Sequence, residues 1–155
     1  MKLRILSVGH KMPDWVTAAC SEYSKRMPRE LNIEIVEIKP EKRAAGNNAE
    51  NIQAIEAKRI IGVVGKDFLI ACDERGLELT TIHLAEKLKD WQVLARDVSF
   101  VIGGADGLHS SIKQRADFLW GLSKLTLPHA LVRVLLCEQL YRAYSINQNH
   151  PYHRD

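Results

Sequence analysis

Strand-like and helix-like patterns alternate along this chain from end to end, and that alternation limits the fold more than any other feature. LRILSV (3–8) reads as a first strand. Pro13 and Asp14 then start a helix, since proline suits a first helical turn and aspartate its dipole. Trp15, Ala19, Tyr23 and Met27 fall on one helical face, and Pro28 ends the pattern. IEIVEI (33–38) alternates with period two, and KPEKRAAGNN (39–48) is a charged loop. A second helix over 49–64 carries Ile52, Ile55, Ile60 and Val63 as its apolar stripe. FLIACD (68–73) is a short buried strand, and Thr80 or Thr81 caps a helix running through Trp91. VSFVIG (98–103) is another buried strand, SIKQRADFLW (111–120) reads as a helix, and LTL (125–127) as a last brief strand. The longest helix covers 129–147. Such alternation predicts an α/β fold, a mainly parallel sheet with helices on both faces. Sheets of this kind bind ligands at the carboxyl ends of their strands, where Asp73 and Gly103 fall.

A chain of 155 residues is one domain by size, with enough surface to bury a core without staples. No apolar run reaches the length of a membrane span. Three cysteines, odd in number and far apart at Cys20, Cys72 and Cys137, argue for reduced thiols and a cytoplasmic setting. The net charge of +3 is only mildly basic, but its distribution is uneven. Basic residues gather in the first thirty positions and again in the last third, so they form a patch if the fold joins the two ends.

The last third holds the candidate chemistry. Gly103, Gly104 and Gly107 follow a strand and precede a helix, where glycine permits close backbone approach or positive φ. Ala105 breaks the dinucleotide fingerprint, and no Lys-Ser/Thr follows as in a P-loop, which weighs against nicotinamide and ATP sites. His150 and His153 are three apart, yet Pro151 breaks any helix that would align them and no cysteine is near, so no metal is expected. Cys137 lies in an apolar helical run, as a core thiol does, and no nucleophile elbow occurs. Val132, Leu135, Leu136, Leu140 and Tyr144 read as core, but the helix is apolar around much of its girth, which suggests a homodimer seam. Glu138 and Arg142 stand in the favourable i, i+4 order.

At these residues the chain resembles a known family. MKLRILSVGHKMPDWV, FVIGGADGL, LTLPHALVRVLLCEQLYRAYSI and NHPYHR are similar to the RlmH (YbeA-like) family of bacterial ribosomal RNA methyltransferases, over essentially the whole chain. The resemblance implies a single SPOUT-class domain over 1–155, with a C-terminal trefoil knot and an obligate homodimer. It implies transfer of a methyl group from S-adenosyl-L-methionine to N3 of a pseudouridine in 23S (large-subunit) ribosomal RNA, on the assembled ribosome and without membrane or DNA. The cofactor site it implies combines Cys72 and Asp73, Gly103 and Gly104, and the loop Ser123, Lys124, Leu125, Thr126, Leu127 and Pro128. Family members often carry leucine where this chain has Cys72, so backbone contact is what carries over there.

Methyl transfer from an activated sulfonium asks mainly for alignment, and N3 of pseudouridine must lose a proton. His129, Arg142, Tyr152 and Arg154 are the groups the resemblance offers. On this expectation the tail of one subunit closes over the cofactor of the other. Tyr152 then holds the base, Arg154 grips phosphate or carbonyl oxygen, and His129 orients the loop or relays the proton. The alternative is a ribosome-binding or assembly factor without catalysis.

Overall fold

A computed structural model describes residues 1–9, 11–43, 46, 48–103 and 107–153. Of the loop expected at 39–48, residues 44, 45 and 47 lie outside the described residues. Five strands form one parallel sheet: β1 (Lys2–Val8), β2 (Asn32–Ile38), β3 (Phe68–Glu78), β4 (Val98–Ile102) and β5 (Phe118–Gly121), in the order β2-β1-β4-β3-β5. Among the described residues, α1 (Asp14–Ser24), α2 (Ala49–Val64), α3 (Thr81–Val93) and α4 (Ser110–Arg115) connect them, and α5 (His129–Asn147) follows β5. Among the described residues no helix is long and apolar enough to cross a membrane.

The alternation of side chains along each strand builds two cores. Leu3, Ile5, Ile70, Val98, Phe100 and Ile102 face α1, α3 and α5. Leu6, Leu69, Ala71 and Val101 face α2 and α4. Pairings of Cys72 and Ser7 with Ile102 bring three strands to their carboxyl ends at one level. Helix starts follow the caps in the sequence. Asn48 accepts from the backbone N–H of Asn51 at 2.8 Å, and Thr80 accepts from that of His83 at 3.1 Å.

The structure corrects the sequence reading in four places. SIKQRADFLW is a short helix that ends at Arg115 and gives way to β5. LTL is loop, and the last strand is Phe118–Gly121. On α1, Val16 and Cys20 are buried, as is Met27 just beyond it, while Trp15 is 56% exposed. On α5, Leu135 joins Leu131 on an exposed strip, and Arg133 takes a core place.

β3 also runs further than FLIACD. Cys72 and Leu77 both pair with Trp120, so residues 73–76 bulge out of the ladder between them. The bulge is possible because β3 and β5 touch through glycine. A Cβ on Gly76 would lie 2.5 Å from the Trp120 carbonyl carbon, and one on Gly121 2.7 Å from the Gly76 oxygen.

Candidate functional site

A cleft of about 610 Å³ opens at the carboxyl ends of β3 and β4. Three segments form its walls: the β3 bulge, the turn after β4, and the loop between β5 and α5. The turn closes tightly, since a Cβ on Gly103 would lie 3.0 Å from the Gly107 carbonyl carbon, and Gly107 has φ +77°. The loop is shaped locally by Ser123, whose Oγ accepts the backbone N–H of Leu125 at 2.9 Å.

Of the residues expected at a cofactor, Cys72, Asp73, Gly103, Ser123, Leu125, Thr126, Leu127 and Pro128 line this one cleft. Lys124 is exposed and does not line it, and Gly104 lies outside the described residues. The Cys72 thiol is partly exposed by area but enclosed by protein atoms, and burial pushes its pKa up to about 12. It is therefore a neutral thiol and no nucleophile. Burial also pushes the Asp73 carboxyl up, but the backbone N–H of Arg75 and the Lys113 ammonium outweigh it and hold the pKa below the ordinary value. The two contacts measure 2.8 Å from Arg75 N to Oδ1 and 3.0 Å from Lys113 Nζ to Oδ2.

Glu74, Arg75 and Lys113 belong to the cleft and were absent from the sequence reading. The Asp73-x-Arg75 turn has a recognisable local signature, because aspartate readily accepts from the backbone two residues on. Lys113 has none, since it reaches Asp73 only through the packing of α4.

His129 begins α5 at the cleft wall, with Nδ1 buried and without a hydrogen-bond partner among the described residues. Arg142 and Tyr152 sit elsewhere. Thirteen positions separate His129 from Arg142 on α5 (142 − 129), about 20 Å of helix. There the chain reverses at Asn149, with φ +55°, and the backbone N–H of His150 bonds Ser145 O at 2.9 Å. A 3-10 turn, Pro151–His153, then lies back on α5. Arg142 Nε donates to Glu138 Oε1 at 2.6 Å, and its guanidinium lies 4.9 Å from the centre of the Tyr152 ring. The Tyr152 ring meets Tyr141 edge-on at 4.7 Å, and its hydroxyl stands 3.5 Å from Glu138 Oε1. Burial, with the Glu138 charge second, raises the Tyr152 pKa, so the phenol stays protonated. Arg154 lies outside the described residues. Within one chain, then, His129 does not meet Arg142 and Tyr152.

The basic residues of the two chain ends are largely paired. Lys2 meets Glu34 at 3.4 Å, Arg4 meets Asp67 at 2.7 Å and Arg26 meets Glu22 at 2.6 Å. Among the described residues no group of three or more His, Cys, Asp or Glu side chains is placed to hold a metal ion.

Residues 1–153 match the family model described as "Predicted SPOUT methyltransferase". The chain is 66% identical over 155 residues to "Ribosomal RNA large subunit methyltransferase H" of Methylobacillus flagellatus, covering 100% of both chains. It is 57% identical to the protein of the same name from Paraburkholderia phymatum, covering 99% of each. Among solved structures, a probable methylase family protein from Haemophilus influenzae superposes with a TM-score of 0.61 at 12% identity, over 99% of this chain and 70% of that one. This last likeness speaks to the fold.

Proposed function

This chain belongs to the RlmH family of SPOUT methyltransferases, and on that premise we propose that it methylates N3 of a pseudouridine in 23S (large-subunit) ribosomal RNA on the assembled ribosome, with S-adenosyl-L-methionine as donor. The observation that carries this reading is 66% identity along the whole chain to a large-subunit ribosomal RNA methyltransferase. The cleft suits the donor: its volume of about 610 Å³ is that of a small-molecule site, and its walls mix apolar side chains such as Leu122 and Leu127 with polar ones such as Asp73 and Thr126. The residues that hold it are Cys72 and Asp73, Gly103 and Gly104, and the loop Ser123–Pro128, largely through backbone.

When bound, S-adenosyl-L-methionine supplies a methyl group already activated on a sulfonium. The chain's own task is to align the acceptor and favour loss of its N3 proton. His129, at the cleft wall with Nδ1 free, orients the loop or passes that proton. Arg142 and Arg154 provide positive charge that favours the N3 anion, and Arg154 grips phosphate or carbonyl oxygen. Tyr152, packed between Arg142 and Tyr141, holds the tail that carries Arg154.

The separation of about 20 Å along α5 favours a site assembled from two subunits, with the tail of one over the cleft of the other. Leu131 and Leu135, one turn apart and exposed, with Leu125 beside the cleft, are the apolar surface such a homodimer would cover. The same reading includes one domain, the family's trefoil knot, and a cytoplasmic home that suits three free thiols. Membrane and DNA have no place in it.

Mass spectrometry of ribosomal RNA from a deletion strain tests the proposal. Loss of one methyl group on a pseudouridine, restored by this chain, is the expected result. An RNA methylation profile unchanged by the deletion would defeat it and leave the non-catalytic assembly factor as the reading.

A further inference from the structure

Arg26 lies on the first connection of the chain, more than a hundred residues from the tail, and no motif marks it. In the fold its guanidinium carbon sits 5.5 Å from the ring centre of Tyr23, 5.6 Å from that of Tyr141 and 6.0 Å from that of Tyr152. These distances fall within the range of cation–π attraction. Glu22, one turn back, accepts from Nη2 at 2.6 Å and fixes the direction of the planar group. Arg142 approaches the Tyr152 ring at 4.9 Å, so both arginines act on the one tyrosine of the tail. Three parts of the chain meet here: the end of α1, the middle of α5 and the 3-10 turn Pro151–His153.

We propose that Arg26 is a positioning residue for the methyl transfer, closing a clasp around Tyr152 that aims the C-terminal tail at the acceptor. The inference rests on the enzyme reading above and extends it to a residue that touches neither cleft nor cofactor. The tail has few other holds. Beyond Asn149 its described hydrogen bonds are His150 N to Ser145 O, Tyr152 N to His150 Nδ1, and contacts of the Tyr152 side chain with Glu138 and Tyr23. Tyr152 is thus the anchor of the described tail, and Arg26 is one of the groups that hold it. An arginine suits the place better than a lysine, because its flat group keeps the bond to Glu22 while lying against the rings.

The test is a mutant cycle of Arg26→Ala and Tyr152→Ala, with Arg26→Lys as a milder variant should alanine impair folding. Arg26→Ala is expected to lower kcat about tenfold, while affinity for S-adenosyl-L-methionine stays within about twofold, as the cofactor is bound elsewhere. Added to Tyr152→Ala, it should cost nothing more, and Arg26→Lys should fall between wild type and Arg26→Ala. Wild-type kcat in Arg26→Ala would overturn the proposal. So would losses that multiply in the double variant, the result expected if Arg26 met the RNA directly. Hydrogen exchange of the amides of residues 148–153 gives a second readout that needs no activity, and Arg26→Ala should speed it about tenfold. Unchanged exchange would overturn the clasp. Faster exchange in a protein that methylates no ribosomal RNA would instead uphold the clasp and sink the enzyme reading.

Discussion

At its amino end α5 opens onto the cleft, with His129 Nδ1 unpartnered among the described residues and the neighbouring loop largely exposed. At its carboxyl end Glu138, Arg142, Tyr141 and Tyr152 satisfy one another through a 2.6 Å ion pair and close ring contacts. The first arrangement leaves groups for a ligand to satisfy. The second is already complete and costs little further ordering when RNA arrives, so it suits a preset tool rather than a receptor. On the proposed function, α5 joins the cleft to the tail that reaches the acceptor, about 20 Å apart within one chain.

Substitutions at each end should separate these roles. The largest effect is expected at the tail. Tyr152→Ala with Arg154→Ala should reduce methyl transfer by about a thousandfold, while calorimetry finds donor affinity changed by less than about twofold. Wild-type turnover in that variant would abolish the contrast between the two ends. At the cleft, Gly103→Val forces a side chain towards the backbone of Gly107, and donor affinity should fall about a hundredfold by the same titration.

Asp73→Asn is expected to act mainly on stability. A carboxyl whose native pKa is depressed stabilises the fold above its unfolded pKa, and that support is lost as pH falls through the native value. The amide should therefore cost about 1 kcal/mol near pH 7 in urea unfolding, with no difference from wild type once the Asp73 carboxyl of the wild type is protonated. A cost that persists in acid would mean that Lys113 and Arg75 are not what Asp73 serves. Lys124→Ala should have the smallest effect, with donor affinity within about twofold, because the side chain points away from the cleft wall.

Where local chemistry decides an element, the sequence was sufficient. α2 and α5 begin after Asn48 and Pro128 and run over the ranges their patterns mark. The edge strand β5 escaped because four residues next to a helix carry no period of their own, and only pairing with distant β3 makes them a strand. Leu135 was read as core, and Trp15 was placed on one face with Ala19 and Tyr23, because hydrophobic periodicity does not say which neighbour a face will meet; both side chains are exposed. In the site, the glycine turn was legible from composition, but the 123–128 loop only from family resemblance, since its pattern alone read as a strand. Lys113 and Arg26 were not, because each acts through a contact that only the packed helices create.

The strand order has a consequence for how the chain reaches its native state. β1 forms near the start of synthesis, but one of its two neighbours is β4, and the first paired residues, Leu3 and Val98, stand 95 positions apart (98 − 3). β3 in turn waits for β5 on its outer side. A growing chain therefore holds an apolar central strand open on one edge until most of the protein has been made. Contacts of such long range make folding slow and leave the unfinished chain prone to association.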